Sequence, residues 1–130
     1  MNDTPTSSNR IRSFKDSLEL ETLKNISKLP YGWDGDSAPA FPQEVVDNAG
    51  KLLVNIIVPN CYDIVLIPNS NMTISIVGKL PDPAIPVLFR VTMATFSMSF
   101  QPRDKLEITV HGVFEQSNFD LLNKCLNRVL

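Results

Sequence analysis

The chain has little of the chemistry that most often identifies an enzyme or a nucleic-acid-binding protein. It contains one histidine, two cysteines and five glycines in 130 residues. Twelve lysines and arginines stand against fourteen aspartates and glutamates, so the formal net charge is −2. A basic face or stripe is the usual electrostatic mark of a nucleic-acid-binding domain. The composition therefore disfavours nucleic acid as a partner.

Long apolar runs are also missing. Residues 61–78 carry a single charge, Asp63, but Pro68 and two asparagines also interrupt them, which makes the segment too polar to cross a bilayer. Residues 1–10 are polar and lack the apolar core of a secretory signal. We therefore predict a flexible tail over 1–10, no membrane association and a cytoplasmic location, in which Cys61 and Cys125 are thiols rather than a disulfide.

Two helices are predicted before any strand. Helical spacing of apolar residues indicates a first helix over 12–28, which Pro30 ends. Pro42 occupies the first position of a second helix, where proline is tolerated, and Pro59 stops that helix. Phe41 takes the place where a capping Ser, Thr or Asp is preferred, so Asp36, Ser37 or water is the alternative cap, or else Phe41 is a hydrophobic staple.

Beyond Pro59 the apolar period changes from that of a helix to that of a strand. Residues 62–67 are apolar on both faces and predict a strand covered on both sides, which forms a hairpin with the half-buried strand 72–77. Further strands are predicted over 87–93, 96–100 and 106–111. The inward-facing parity changes at Ala94-Thr95, so either a β-bulge or a tight turn lies there, and the sheet has four or five strands.

The last segment, 116–130, is predicted to be a helix capped by Ser117 or Asn118. Its apolar stripe consists of Phe119, Leu122, Cys125, Leu126 and Val129. A run of strands flanked by helices is typical of the α+β class. We predict one domain over 11–130: two N-terminal helices, an antiparallel β-meander of four or five strands, and a C-terminal helix packed on the sheet.

The most distinctive stretch is 31–39, which holds the only tryptophan. Its glycines, aspartates and proline predict a shaped loop between the two helices. Trp33 either packs down on the core or lies exposed as an interface anchor. Asp34 and Asp36 are spaced to share a cation, but a calcium loop needs further oxygen ligands that this stretch lacks. Asp34 is therefore predicted to accept backbone N–H groups and to shape the turn.

No catalytic constellation is apparent elsewhere. His111 lies on the predicted outward face of the last strand, without a cysteine or second histidine at ligand spacing. The glycines match neither nucleotide-binding fingerprint, and no serine has the setting of a nucleophile elbow. We therefore predict no catalytic residues, no metal and no cofactor.

The loop and the second helix carry a resemblance. The order Gly32-Trp33-Asp34-Gly35, with Ala38, Pro42 and Ala49, resembles the opening of a widespread group of small bacterial and phage proteins. In that group a W-D-G/S-x-x-A stretch links two short helices to a later β-meander. The match covers about a third of the chain, and Phe41 departs from it, since Ser or Thr usually precedes the proline. The resemblance implies a bacterial or phage protein, a setting that includes inhibitors, antitoxins and anti-defence factors, and it transfers no activity.

The function predicted from these features is binding rather than catalysis. The leading hypothesis is a non-enzymatic interaction protein that occludes a surface of another protein, with loop carboxylates steering it towards a basic partner surface. The first alternative is a structural homo-oligomer, a homodimer through the C-terminal helix. The other is a small-molecule or metal-dependent hydrolase that uses Asp34, Asp36 and His111. The predicted partner-binding residues are Tyr31, Trp33, Asp34, Asp36, Leu121 and Leu130.

Overall fold

The computed structural model describes residues 18–81 and 84–129. The helices are α1 (Leu18–Ser27), α2 (Gln43–Leu52), a π-helical segment (Leu53–Ile57), α3 (Val58–Asn60) and α4 (Gln116–Val129). The strands are β1 (Tyr62–Pro68), β2 (Ile74–Leu80), β3 (Ile85–Val91), β4 (Phe96–Phe100) and β5 (Ile108–Gly112). The predicted tail over 1–10 and positions 12–17 of the predicted first helix lie outside the described residues.

The five strands form one antiparallel meander in the order β1-β2-β3-β4-β5. The predicted α+β class is confirmed, and the number of strands is five rather than four. The predicted β1–β2 hairpin is also confirmed: Asn69 donates its backbone N–H to Thr73 O at 2.9 Å. The Asn71 side chain accepts from the Thr73 amide and hydroxyl, which closes the turn.

The parity change at Ala94-Thr95 is a tight turn, not a bulge. Val91 pairs with Phe96 across the turn, and Thr92 donates its N–H to Thr95 O at 2.9 Å. The Thr92 hydroxyl accepts hydrogen bonds from the backbone N–H groups of Ala94 and Thr95. Serine and threonine hydroxyls commonly form such bonds in turns. Met93, predicted to lie inward on a strand over 87–93, is in this turn and exposed.

The second helix does not stop at Pro59. It begins at Gln43, with Pro42 as its N-cap and no side-chain cap, and continues through the π-helical segment to Asn60. We call residues 43–60 the long helix. Proline has no N–H to donate to the preceding turn. The local widening to π-helical bonding, in which Val58 N donates to Leu53 O, accommodates it.

The helices of the described residues pack on one face of the sheet. One continuous core runs from Leu23 to Leu126 and joins the inward side chains of the strands to the apolar faces of the helices. Burial of this apolar surface is the main favourable term in folding. The strand residues that are fully buried in it are Ile74, Ile76, Leu80, Val87, Phe89, Val91 and Met98.

Two predictions about strand coverage are wrong. β1 is an edge strand, and only its Leu66 side is covered, because the helices lie on one face; Val65 and Ile67 are 54% and 43% exposed. The last strand begins at Ile108 rather than at 106. Leu106, predicted to lie inward, is 88% exposed in the loop before that strand.

Candidate functional site

Trp33 holds the loop 30–41 onto the core. Its indole Nε1 donates to Pro39 O at 3.0 Å, and its ring lies 5.6 Å from that of Phe41, which is buried. The side chain is half-buried and packs against the core cluster. Since the polar end of the indole is also satisfied within the loop, the geometry gives Trp33 an anchoring role.

Asp34 shapes the same loop. Its Oδ1 accepts the N–H of Asp36 at 3.0 Å and that of Ala38 at 3.2 Å, which confirms the predicted turn-shaping role. Gly32 and Gly35 have φ angles of +80° and +84°, a region that glycine adopts without strain. Of the predicted contact residues in the loop, Tyr31 is 72% exposed, and Asp34 and Asp36 are also exposed.

The C-terminal helix buries the predicted stripe from Phe119 to Leu126. Phe119, Leu122 and Leu126 are buried and Cys125 is half-buried, so the helix packs on the sheet as predicted. Phe119 lies 6.2 Å from Phe96 of β4, measured between ring centroids.

α4 begins at Gln116, as predicted, but neither Ser117 nor Asn118 is its cap. The Glu115 carbonyl accepts from Asn118 N and Phe119 N, and the Asn118 side chain donates to Val113 O. Of the two predicted contact residues, Leu121 is exposed and Leu130 lies outside the described residues.

The cysteines are unpaired, as predicted. Cys61 lies at the start of β1 with its thiol against Gly78 of β2, where a Cβ atom on the glycine would come within 2.9 Å of the Cys61 Cβ. Burial raises the pKa of Cys61 from 9.0 to about 12. A thiol that holds its proton this strongly is a poor nucleophile and a poor metal ligand.

Within residues 18–81 and 84–129, no helix covers the face of the sheet opposite α1, α2 and α4. Two rows of paired residues cross it: Val65, Val77, Leu88, Ser99 and Thr109 form the first, and Ile67, Ser75, Arg90, Ser97 and His111 form the second. On β1, β3, β4 and β5 these side chains are more exposed than their neighbours along the strand and so point away from the core. The pairing places Val77 and Ser75 of β2 on the same face, although Ser75 is only 8% exposed. We call these ten residues the open face.

The open face divides into an apolar and a polar half. Val65, Ile67, Val77 and Leu88 lie together on β1, β2 and β3, and we call them the apolar patch; Leu88 is 36% exposed. Ser97, Ser99, Thr109 and His111 lie on β4 and β5, where Ser99 and Thr109 share a hydrogen bond at 3.2 Å. Isolated apolar residues on a surface are ordinary, whereas contiguous ones mark interaction sites.

The outer edge of β1 is protected against pairing with a further strand. Because Asn69 N and Thr73 O form a ladder bond, the alternation of an antiparallel pair directs the backbone of Leu66 and Pro68 away from β2. Pro68 has no N–H to donate, and at the other end Asp63 has φ +52° where the β1–β2 register shifts. Proline and bulges are common protections of edge strands. The face is therefore better suited than the edge to dock a partner.

Sequence reasoning missed the open face because the alternation on β1 fails. Residues 64–67 are apolar at every position, which predicts coverage on both sides. The available signal was the number of helices: the predicted helices suffice for one side of a five-stranded sheet. When the helices cover only one side of the sheet, a strand that is apolar on both faces exposes one of these faces to solvent.

The part of the chain that the structure describes holds no group of three or more His, Cys, Asp and Glu side chains that could bind a metal ion. In those residues, no helix is long and apolar enough to cross a membrane. No protein-family model, no curated protein and no solved structure matches the chain.

Proposed function

We propose that this chain is a non-enzymatic interaction module of bacterial or phage origin that binds another protein in the cytoplasm and occludes its surface. An inhibitor, an antitoxin or an anti-defence factor acts in this way. The observation that carries the proposal is the apolar patch, where four aliphatic side chains from three adjacent strands lie together on a face that the helices do not cover.

The energetics favour the apolar patch as the contact surface. Complete burial of an aliphatic side chain of this size contributes roughly 1.5–3 kcal/mol, so several of them supply a large share of a binding free energy. The patch lies on a hydrogen-bonded sheet, which loses little conformational entropy on binding. A rigid apolar surface with a polar border has the anatomy of a protein–protein interface.

The loop is a second contact surface in this proposal. Tyr31 and the carboxylates of Asp34 and Asp36 are exposed, and carboxylates at a rim steer association with a basic partner surface rather than supply affinity. Trp33 stabilises this surface indirectly, because it holds the loop to the core.

Co-purification from the native source tests the proposal. An affinity-tagged chain is compared with Val65→Asp, which places a charge in the apolar patch, and with Leu106→Asp, which adds the same charge in a loop outside the open face. The proposal predicts that wild type and Leu106→Asp retain the same protein and that Val65→Asp loses it. If all three chains retain the same protein in equal amounts, the open face is not the contact surface.

Leu121 favours a second candidate function, a homodimer through α4. Its side chain is 68% exposed, so a second copy has an apolar residue to cover. Sedimentation of the isolated chain separates the candidates: a dimer that Leu121→Asp dissociates supports self-association, and a monomer at all concentrations argues against it.

A further inference from the structure

Arg90 is the cation at the centre of the open face. It lies on β3, the middle strand, and is paired with Ser75 on one side and Ser97 on the other. Its side chain is exposed. Arginine offers a planar fork of N–H donors that matches a carboxylate in two simultaneous hydrogen bonds.

The charge around Arg90 is uncompensated. Neither row of the open face contains a carboxylate, although the chain as a whole has a net charge of −2. Lys79 lies on the same side of the sheet, but its Nζ forms a salt bridge with Asp63 Oδ2 at 3.9 Å. No salt bridge joins Arg90 to another residue within 18–81 and 84–129. Arg90 is therefore the one formally charged residue among the ten of the open face, while Asp104 and Glu107 line a separate groove beside Leu88 and Ser99.

A polar groove adjoins Arg90. Its volume is about 420 Å³, and amide and hydroxyl side chains of the β1–β2 turn line it together with Arg90 and Ser75. Asn69 donates one amide hydrogen to Ser75 Oγ at 2.9 Å and the other to Thr73 Oγ1. Ser75 is only 8% exposed, and its oxygen already has a donor, so its hydroxyl hydrogen is the one group that it can present at the groove. The groove favours an anion that accepts several hydrogen bonds.

The apolar patch lies within reach of the same ligand. Leu88 is two residues from Arg90 on the same face of β3, a separation of about 7 Å, and Ile67 is two strands away, at about 9–10 Å. A small inorganic anion leaves both aliphatic side chains uncovered. A polypeptide that has a carboxylate and aliphatic side chains at these separations can pair with Arg90 and cover both aliphatic side chains at the same time.

We propose that the open face binds an acidic, amphipathic segment of a partner protein, in which a carboxylate pairs with Arg90 while neighbouring aliphatic side chains cover the apolar patch. This rests on the proposed function and gives the partner its chemistry. Arg90 is then the residue that determines specificity, since aliphatic contacts alone do not distinguish acidic from basic segments.

The test uses two short fluorescein-labelled peptides that share the same aliphatic positions, one with glutamate and one with lysine at the others. Fluorescence anisotropy gives their affinities for the full chain. Wild type is expected to bind the glutamate peptide about tenfold more tightly, the effect of one well-placed charge pair. Arg90→Glu should reverse the preference, and Arg90→Gln should abolish it without reversing it. The preference should weaken as salt is added.

Lys51→Glu is the matched control, because it makes the same change in net charge on the exposed side of α2. If it alters the preference as much as Arg90→Glu, the attraction comes from net charge and the inference is overturned. Equal binding of both peptides also overturns it; if Leu88→Asp then weakens both, the open face survives as a binding surface. If neither peptide binds wild type the inference fails, while co-purification separately decides the proposed function.

Discussion

Asn60, in the last turn of the long helix, donates its side-chain amide to Oδ1 of Asn123 on α4 at 2.7 Å. Asn123 donates its own amide to Asn55 O at 3.2 Å, in the turn where Pro59 supplies no N–H. The same Asn60 amide also bonds Ile56 O. The two asparagines therefore complete the hydrogen bonding around the proline and fasten α4 to the long helix.

Asn123→Ala is expected to lower the free energy of unfolding by about 1–3 kcal/mol, because it leaves half-buried polar groups on the long helix without their partners. Urea denaturation measures the change. Lys124→Ala, at the exposed neighbouring position, should stay within about 0.5 kcal/mol of wild type. Equal effects of the two substitutions would show that the amide network contributes nothing specific.

Asn48 joins the long helix to the β3–β4 turn. It is buried, and its side-chain amide donates to Met93 O at 2.8 Å and to Thr92 O at 3.2 Å. Asn48→Ala should lower the free energy of unfolding by about 1–3 kcal/mol, because both carbonyl groups lose their hydrogen-bond donor. Asn48→Asp should destabilise more at neutral pH, because a buried carboxylate would face two carbonyl oxygens. Urea unfolding of both variants checks the order, and the reverse order would contradict this role.

Gly78 and Gly50 should respond to alanine with opposite signs. At Gly78 a Cβ would lie 2.9 Å from the Cβ of Cys61, whereas at Gly50 it would make an ordinary contact at 3.5 Å with Leu23. Gly78→Ala is expected to destabilise by about 1–3 kcal/mol through overpacking. Gly50→Ala should stabilise by about 0.5–1 kcal/mol, since alanine is the better helix former. Thermal unfolding gives the melting temperature of each variant relative to wild type. If both melting temperatures change in the same direction, the packing described at these glycines is contradicted.

Cys61 should make stability depend on pH in alkaline solution. Because the folded chain holds this proton up to a pKa of about 12 and the ordinary value is 9.0, the unfolded chain releases it first as the pH rises. The stabilising contribution is fully present below about pH 9 and is lost towards pH 12. The difference in unfolding free energy between wild type and Cys61→Ala isolates this effect from other titrating groups. A difference that stays constant from about pH 8 to pH 11 would contradict it.

Periodicity was sufficient to predict the order of elements. The change from helical to alternating spacing after residue 60 follows directly from side-chain direction, and the predicted meander is confirmed. Thr92–Thr95 shows where the pattern stops being decisive. The turn contains no Gly or Asn, and a hydroxyl that accepts two N–H groups replaces them, so spacing alone left bulge and turn equally open.

The open face depends on tertiary coverage, which local pattern does not contain. Val65 and Ile67 have the composition of buried residues, and their exposure follows only from the placement of all helices on the other side of the sheet. The same reason explains Leu106, whose alternation with Ile108 continues past the end of pairing. Long-range polar contacts such as Asn48 with Met93 also have no local signature, because their partners are distant in sequence.

Titration of the co-purified partner against wild type, Val65→Asp and Tyr31→Ala shows whether the open face or the loop is the main contact surface. Isothermal calorimetry gives the dissociation constants, and circular dichroism confirms that each variant is folded. If the open face is the main contact surface, Val65→Asp weakens binding by about tenfold or more, while Tyr31→Ala changes it by less than about threefold. Loss of affinity on Tyr31→Ala with Val65→Asp unchanged would move the interface to the loop and contradict the account.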